Sequence, residues 1–152
     1  MSVMQSSQFF IKKLSIVSRD ETIEYDISGV YTELNIHDNL QFPCMSGSIL
    51  ITDAVGLSEK IKFDGSEFLW VKIQKDKDDD QLMWIDKKFV IYAQTNRTKL
   101  NQTSESYILN FVSEEFVLSE QKKVRQIYNT THSDSILKIL TDYLFVKKIG
   151  SI

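Results

Sequence analysis

Glu67-Phe68-Leu69-Trp70-Val71-Lys72-Ile73-Gln74 is the stretch whose reading decides the fold. In an extended chain Leu69, Val71 and Ile73 fall on one face and Phe68, Trp70 and Lys72 on the other, a period of two that no helix gives. β-branched and aromatic side chains dominate both rows, so the stretch is predicted to be a strand partly covered on both faces. Asp64-Gly65 offers a tight turn just before it. Beyond it, Lys75 to Gln81 is a charged connection and Leu82 to Tyr92 resumes an apolar run. Together these predict a long hairpin with Asp76 to Asp80 at its tip.

The same period recurs outward in both directions. Tyr107, Leu109 and Phe111 alternate with Ile108, Asn110 and Val112 in a further strand, after a polar stretch from Thr95 to Ser104 that reads as a loop. Glu114 to Glu120 reads as a short turn, leading to a strand from Val124 to Tyr128. Upstream, Phe9 to Val17 is a strand whose Phe10, Leu14 and Ile16 share a face interrupted by Lys12, and Arg19, Asp20 and Glu21 form a charged turn. Thr22 to Ile36 breaks at Ser28-Gly29 and places Val30, Leu34 and Ile36 opposite Tyr31, Glu33 and Asn35. Pro43 has no N–H for a ladder and fits a loop opened by Asp38-Asn39. A strand from Ser46 to Thr52 follows it.

Two segments change period. From Asp53 to Ile61, with Asp53 as N-cap, Leu57 and Ile61 stand four apart on one side of a short helix. At the C-terminal end Ile136, Leu137, Leu140, Tyr143 and Leu144 repeat at helical spacing, with Ser133 as cap, Asp134 in the first turn, Lys147 and Lys148 in the last, and Gly150 as terminator. The expected organisation is mainly β: one β domain over residues 1–130 and a helix over 131–152, whose apolar stripe suits the start of a following domain.

With 152 residues, 42% apolar and 26% charged, the composition is that of a packed domain and excludes disordered, collagenous and disulfide-rich classes. Eighteen basic against 21 acidic residues give a net charge of −3, the wrong sign for capturing phosphate backbones. Cys44 is the single cysteine, so no internal disulfide or thiolate cluster forms, and a reducing cytoplasm is the expected site of folding. Residues 1–10 carry no export signal, and no apolar run reaches the ~20 residues of a membrane span. The sequons at Asn96, Asn101 and Asn129 read as chance.

Chemistry-bearing patterns are sparse. His37, in Asn-Ile-His-Asp-Asn, and His132, in Thr-Thr-His-Ser-Asp-Ser, lack the neighbours of a nucleophile and its base. Asp76-Lys77-Asp78-Asp79-Asp80 lacks the central glycine and terminal glutamate of a calcium loop and reads as a solvated tip. Glu114 and Glu115 are adjacent and so point apart on a strand, unlike the paired carboxylates of a glycosidase. The five glycines form no phosphate-binding loop. Trp70, Tyr92, Tyr107 and Phe111 could stack bases in a groove of the OB type, but core packing fits the acidic chain better. No catalytic, cofactor or metal residue is therefore assigned, and the chain is not expected to be an enzyme.

A longer order emerges from Met45-Ser46-Gly47-Ser48-Ile49-Leu50-Ile51-Thr52-Asp53, then Leu57, Ile61, Gly65 and Glu67. A second block is Tyr107-Ile108-Leu109-Asn110-Phe111-Val112-Ser113-Glu114-Glu115, then Leu118, Val124 to Tyr128 and the helix from Ser133. This succession resembles the baseplate hub proteins of contractile-tailed bacteriophages and the related spike proteins of type VI secretion, over roughly Phe10 to Lys147. The resemblance implies a tail-tube-like β-barrel with a short helix between strands and a C-terminal helix. It implies a structural subunit of the virion's tail baseplate, made in the host cytoplasm, that joins the tail tube to the central spike. Its partners would be copies of itself in a trimeric or hexameric ring, the tube protein, the spike and other baseplate proteins. Hub subunits carry two barrels, so one barrel fits either a piece of a longer hub or a subunit used in six copies. The alternative is a ligand-binding β-barrel module of OB type for an oligonucleotide or glycan.

Overall fold

The computed structural model describes residues 9–61, 63–75 and 83–144. The alternating runs form seven strands: β1 (Phe10–Val17), β2 (Glu24–Asp26), β3 (Tyr31–Asn39), β4 (Phe42–Asp53), β5 (Phe68–Gln74), β6 (Met83–Lys99) and β7 (Glu105–Ser113). They make one sheet in the order β2-β1-β5-β6-β7-β4-β3, antiparallel throughout. The long hairpin is present, with β5 and β6 paired from Phe68 opposite Val90 to Gln74 opposite Met83. Its expected tip, Asp76 to Asp80, lies outside the described residues.

One face of this sheet is the core. Leu14 and Ile16 of β1, Ile49 and Ile51 of β4, Leu69 and Val71 of β5, Phe89 and Ile91 of β6, and Tyr107, Leu109 and Phe111 of β7 are all buried in one cluster. β1 and β4 lie four ladder steps apart, about 19 Å in a flat sheet at ~4.8 Å per step. For both to share a cluster the sheet must curl steeply round its apolar face. Crowding inside the curl explains Gly47. It faces Phe111 across the ladder, and a Cβ there would fall 2.1 Å from the Asn35 carbonyl oxygen and 2.5 Å from Phe111 Cζ.

The curl stops short of the expected closed barrel. β2 and β3, the two edges, run in the same direction and are joined only by Ile27 to Val30. A parallel pair needs a crossover of roughly a dozen residues, so four cannot lay these strands side by side. They act instead as one bent strand: Ile27 N–H donates to the Leu14 carbonyl on one edge, and Thr52 N–H donates to the Val30 carbonyl on the other. Among the described residues β2 pairs only with Ser15 to Val17. The first half of β1 therefore faces β3 across a gap that no ladder spans among the described residues.

Bulges change which side chains reach the core. The β1–β5 register shifts between Ile11 and Lys13, so Ile11 rather than Phe10 joins Leu14 and Ile16 on the inner face. The β3–β4 register shifts between Tyr31 and Glu33, which brings Tyr31 to the same side as Leu34 and Ile36 instead of opposite them. An inserted residue reverses the alternation on one side of it. β4 also begins earlier than expected, at Phe42, and takes Pro43 into the strand.

The expected loop from Thr95 to Ser104 is mostly strand, because β6 continues to Lys99 past a bulge at Asn96, where φ is 53°. Asn101 Oδ1 then accepts from the N–H of Thr103 and Ser104 to form the tip. The first helix, α1 (Leu57–Lys60), buries Leu57, and Ile61 just after it is buried too. Its N-cap position is Gly56 rather than Asp53, yet the Asp53 carboxylate does the capping, accepting from Val55 N–H at 3.0 Å and Ser58 N–H at 2.9 Å.

The expected turn at Glu114 is a helix, α2 (Glu114–Gln121). Glu114 and Glu115 favour its first turn, where the helix dipole is positive. The expected strand from Val124 to Tyr128 is irregular chain that no ladder holds. The chain from Lys122 to Gln126 is tied instead to the C-cap of the last helix, α3 (His132–Asp142): Lys122 Nζ donates to the Tyr143 carbonyl and Tyr143 OH donates to Gln126 Oε1. Thr131, not Ser133, caps α3, accepting from Asp134 N–H at 3.2 Å. Gly150 lies outside the described residues.

Candidate interaction surfaces

The gap between β1 and β3 is a cleft of about 480 Å³. Its walls are Ile11, Leu34, Ile36, Met45, Ile73 and Ile85, with Phe9 and Trp84 at the mouth. Trp84 is 70% exposed. Among the described residues the charged side chains that line it are Glu33 and Asp38, both acids on β3, and His37 stands exposed between them in sequence. Lys87 lies in the adjoining hollow under α3, 3.0 Å from Glu115. Burial raises the Glu115 carboxyl, but its backbone hydrogen bond and Lys87 outweigh this and hold it below its usual range. Cys44 lines the same hollow, and burial beside Glu115 pushes its thiol up.

A second apolar surface lies outside the core, where α2 rests against β4, β6 and β7. Phe42, Tyr92, Val112, Phe116 and Val117 line a groove of about 510 Å³, with Glu120 and Gln121 on its rim. The Phe42 and Phe116 rings stand 5.5 Å apart, while Tyr92 remains 61% exposed.

Trp70 sits on the outer face of β5 among three lysines, from β1, β5 and β6. Lys13 Nζ is 3.6 Å from the ring centroid, Lys88 Nζ 4.7 Å and Lys72 Nζ 4.9 Å. Each cation also has a carboxylate: Glu24 at 2.7 Å, Glu21 at 2.6 Å and Asp86 at 3.1 Å respectively. Trp70 Nε1 donates to Asp86 as well. The indole face is occupied by cations and the charges balance, so Trp70 offers no bare stacking platform.

A polar network ties α1 to the β6–β7 ribbon. Arg97 makes two 2.9 Å bonds to Glu105, and the Ser58 hydroxyl donates to Glu105 from α1. Beneath it Asp53 is almost wholly buried. Burial raises its carboxyl, yet the N–H groups of Leu57, Ser58, Val55 and Gly56 hold it below the usual range. Tyr107 is fully buried, and among the described residues no group stands at hydrogen-bond distance from its hydroxyl, the Asp53 carboxylate beside it acting on it at longer range. Burial, then the charges of Asp53 and Glu105, push that phenol far upward.

The residues weighed from sequence thus scatter. His132 is exposed at the start of α3, far in sequence from His37 on β3. Glu114 is exposed and Glu115 is paired with Lys87. Tyr107 and Phe111 are core side chains, which removes them from any base-stacking face. Among the described residues no group of three or more His, Cys, Asp or Glu could hold a metal ion, and no helix is long and apolar enough to cross a membrane. The cleft has no local signature in the sequence, because it lies between β1 and β3, which strand pairings distant in sequence leave apart. No family model and no curated protein matches the chain.

Proposed function

We propose that this chain is a structural subunit of a phage tail baseplate hub, contributing to a ring that joins the tail tube to the central spike. The observation that carries the reading is the apolar groove round α2, with Phe42 and Tyr92 left in water outside an already complete core. Contiguous apolar surface of this kind is characteristic of a protein–protein contact, and aromatic side chains are the usual anchors of one. The order of elements in the first block supports it: a strand, the short α1, the Gly65 turn and β5 follow each other as in the hub pattern, while in the second block α2 and irregular chain stand between β7 and α3 where that pattern has a turn and a strand. On this reading the curled sheet is a tube-type barrel left open along one seam. Its partners are other copies in a trimer or hexamer, the tube protein and the spike.

Sedimentation velocity over a rising concentration series tests the ring. The expected result is a closed trimer or hexamer, which Tyr92→Lys and Phe42→Glu convert to monomer without changing the far-ultraviolet spectrum. A chain that stays monomeric at every concentration, and ignores added tail-tube protein, overturns the reading.

A further inference from the structure

We infer that the cleft between β1 and β3 is a receptor for one extended strand of a partner protein, apolar at alternate positions and basic at its ends. The inference goes beyond the ring, since a monomer would take the strand equally well.

Backbone supply comes first. Among the described residues β3 pairs with β4 on one side only. This outer edge faces the cleft, and an edge whose ladder is unfilled is a template for an added strand. Between β3 and β1 lie about 480 Å³ bounded by Ile11, Leu34, Ile36, Ile73 and Ile85. An incoming strand would turn alternate side chains into this space, with the polar row facing water.

Direction follows from topology. β1 and β3 run opposite ways, so a strand between them is antiparallel to one and parallel to the other. Among the described residues β3 offers an open edge of nine residues, and antiparallel pairing is the more stable kind. The guest therefore runs antiparallel to β3.

Charge selects the partner. Among the described lining residues the charged side chains are Glu33 and Asp38, and the neighbouring Lys87 is already held by Glu115. An acidic guest is repelled at both positions, and lysine or arginine there is attracted.

The test uses the full chain carrying Trp70→Phe, so that Trp84 at the mouth is the sole tryptophan. The probes are the peptide Lys-Val-Thr-Val-Thr-Val-Lys and its twin with glutamate at both ends. Expected are a saturable Trp84 emission shift with the basic peptide, binding weaker by about tenfold for the acidic twin, and loss of that difference in the Glu33→Gln/Asp38→Asn double variant. Hydrogen exchange on the unmutated chain should show slowing along β3 when the basic peptide is present. No saturable response, equal response to both peptides, or slowing confined to other strands overturns the inference. So does self-association that the peptide cannot compete away while β3 amides are already protected, since the cleft then belongs to a second copy. A failed titration with an intact ring, or a monomer that binds the peptide, separates this inference from the ring reading.

Discussion

Replacing Gly47 by alanine asks directly whether the sheet is curled as tightly as its shared core requires. The added Cβ would sit 2.1 Å from the Asn35 carbonyl oxygen, 2.5 Å from Phe111 Cζ and 2.8 Å from Phe111 Cε2. The ring could turn, but the carbonyl belongs to the β3 backbone and moves only if that strand does. Overpacking of this kind costs roughly 1–3 kcal/mol, and alanine recovers about 0.4–1 kcal/mol by restricting the unfolded chain. Because the closest contact is with backbone, the net loss should lie near the top of that range, about 2 kcal/mol. For a chain of this length that lowers Tm by about 4–8 °C. Differential scanning calorimetry reads the shift, and Gly29→Ala serves as control, since nothing lies within 4 Å of its added Cβ. Hydrogen exchange should quicken along β3, the strand pushed outward. A Gly47→Ala protein that melts within about 1 °C of the parent would refute the tight approach of β3 to β4 beneath Phe111.

Two further outcomes follow from the network under α1. Asp53→Asn puts an amide nitrogen where an oxygen meets the Val55 or Ser58 N–H and should cost about 1–2 kcal/mol at neutral pH, measured by chemical denaturation. Since the folded carboxyl lies below its ordinary value of 3.8, its stabilisation is complete above that value and is lost as pH falls through the lower folded one. The variant should therefore show a shallower loss of stability in acid than the parent. Tyr107→Phe removes a buried hydroxyl without a hydrogen-bond partner among the described residues, so stability should change by no more than about 1 kcal/mol, and less phenolate should appear in ultraviolet titration of the parent at high pH than its tyrosine content predicts.

What the sequence discloses depends on whether the alternation runs unbroken. In β5 and β7 it does, and Leu69, Val71, Tyr107, Leu109 and Phe111 lie in the core as their parity requires. In β1 and β3 one residue is looped out at each bulge, which puts Ile11 and Tyr31 on the inner side. A bulge has no composition of its own to mark it. β6 runs past Thr95 to Lys99 as a projecting ribbon whose polar side chains carry no burial signal, and α2 is too short for helical periodicity to stand out. The strand order, and with it the cleft, depends on contacts distant in sequence, to which local pattern is blind.

The joint from Ile27 to Val30 has one more consequence. Ser28 and Gly29 are exposed, and a single cut between them would divide the protein into a short piece bearing β1 and β2 and a long one bearing everything else. The short piece would still carry Leu14 and Ile16, which insert into the apolar interior, and a full strand's worth of ladder to β5. After such a cut the β1–β5 ladder and the shared apolar interior would be the chief tie between the two pieces.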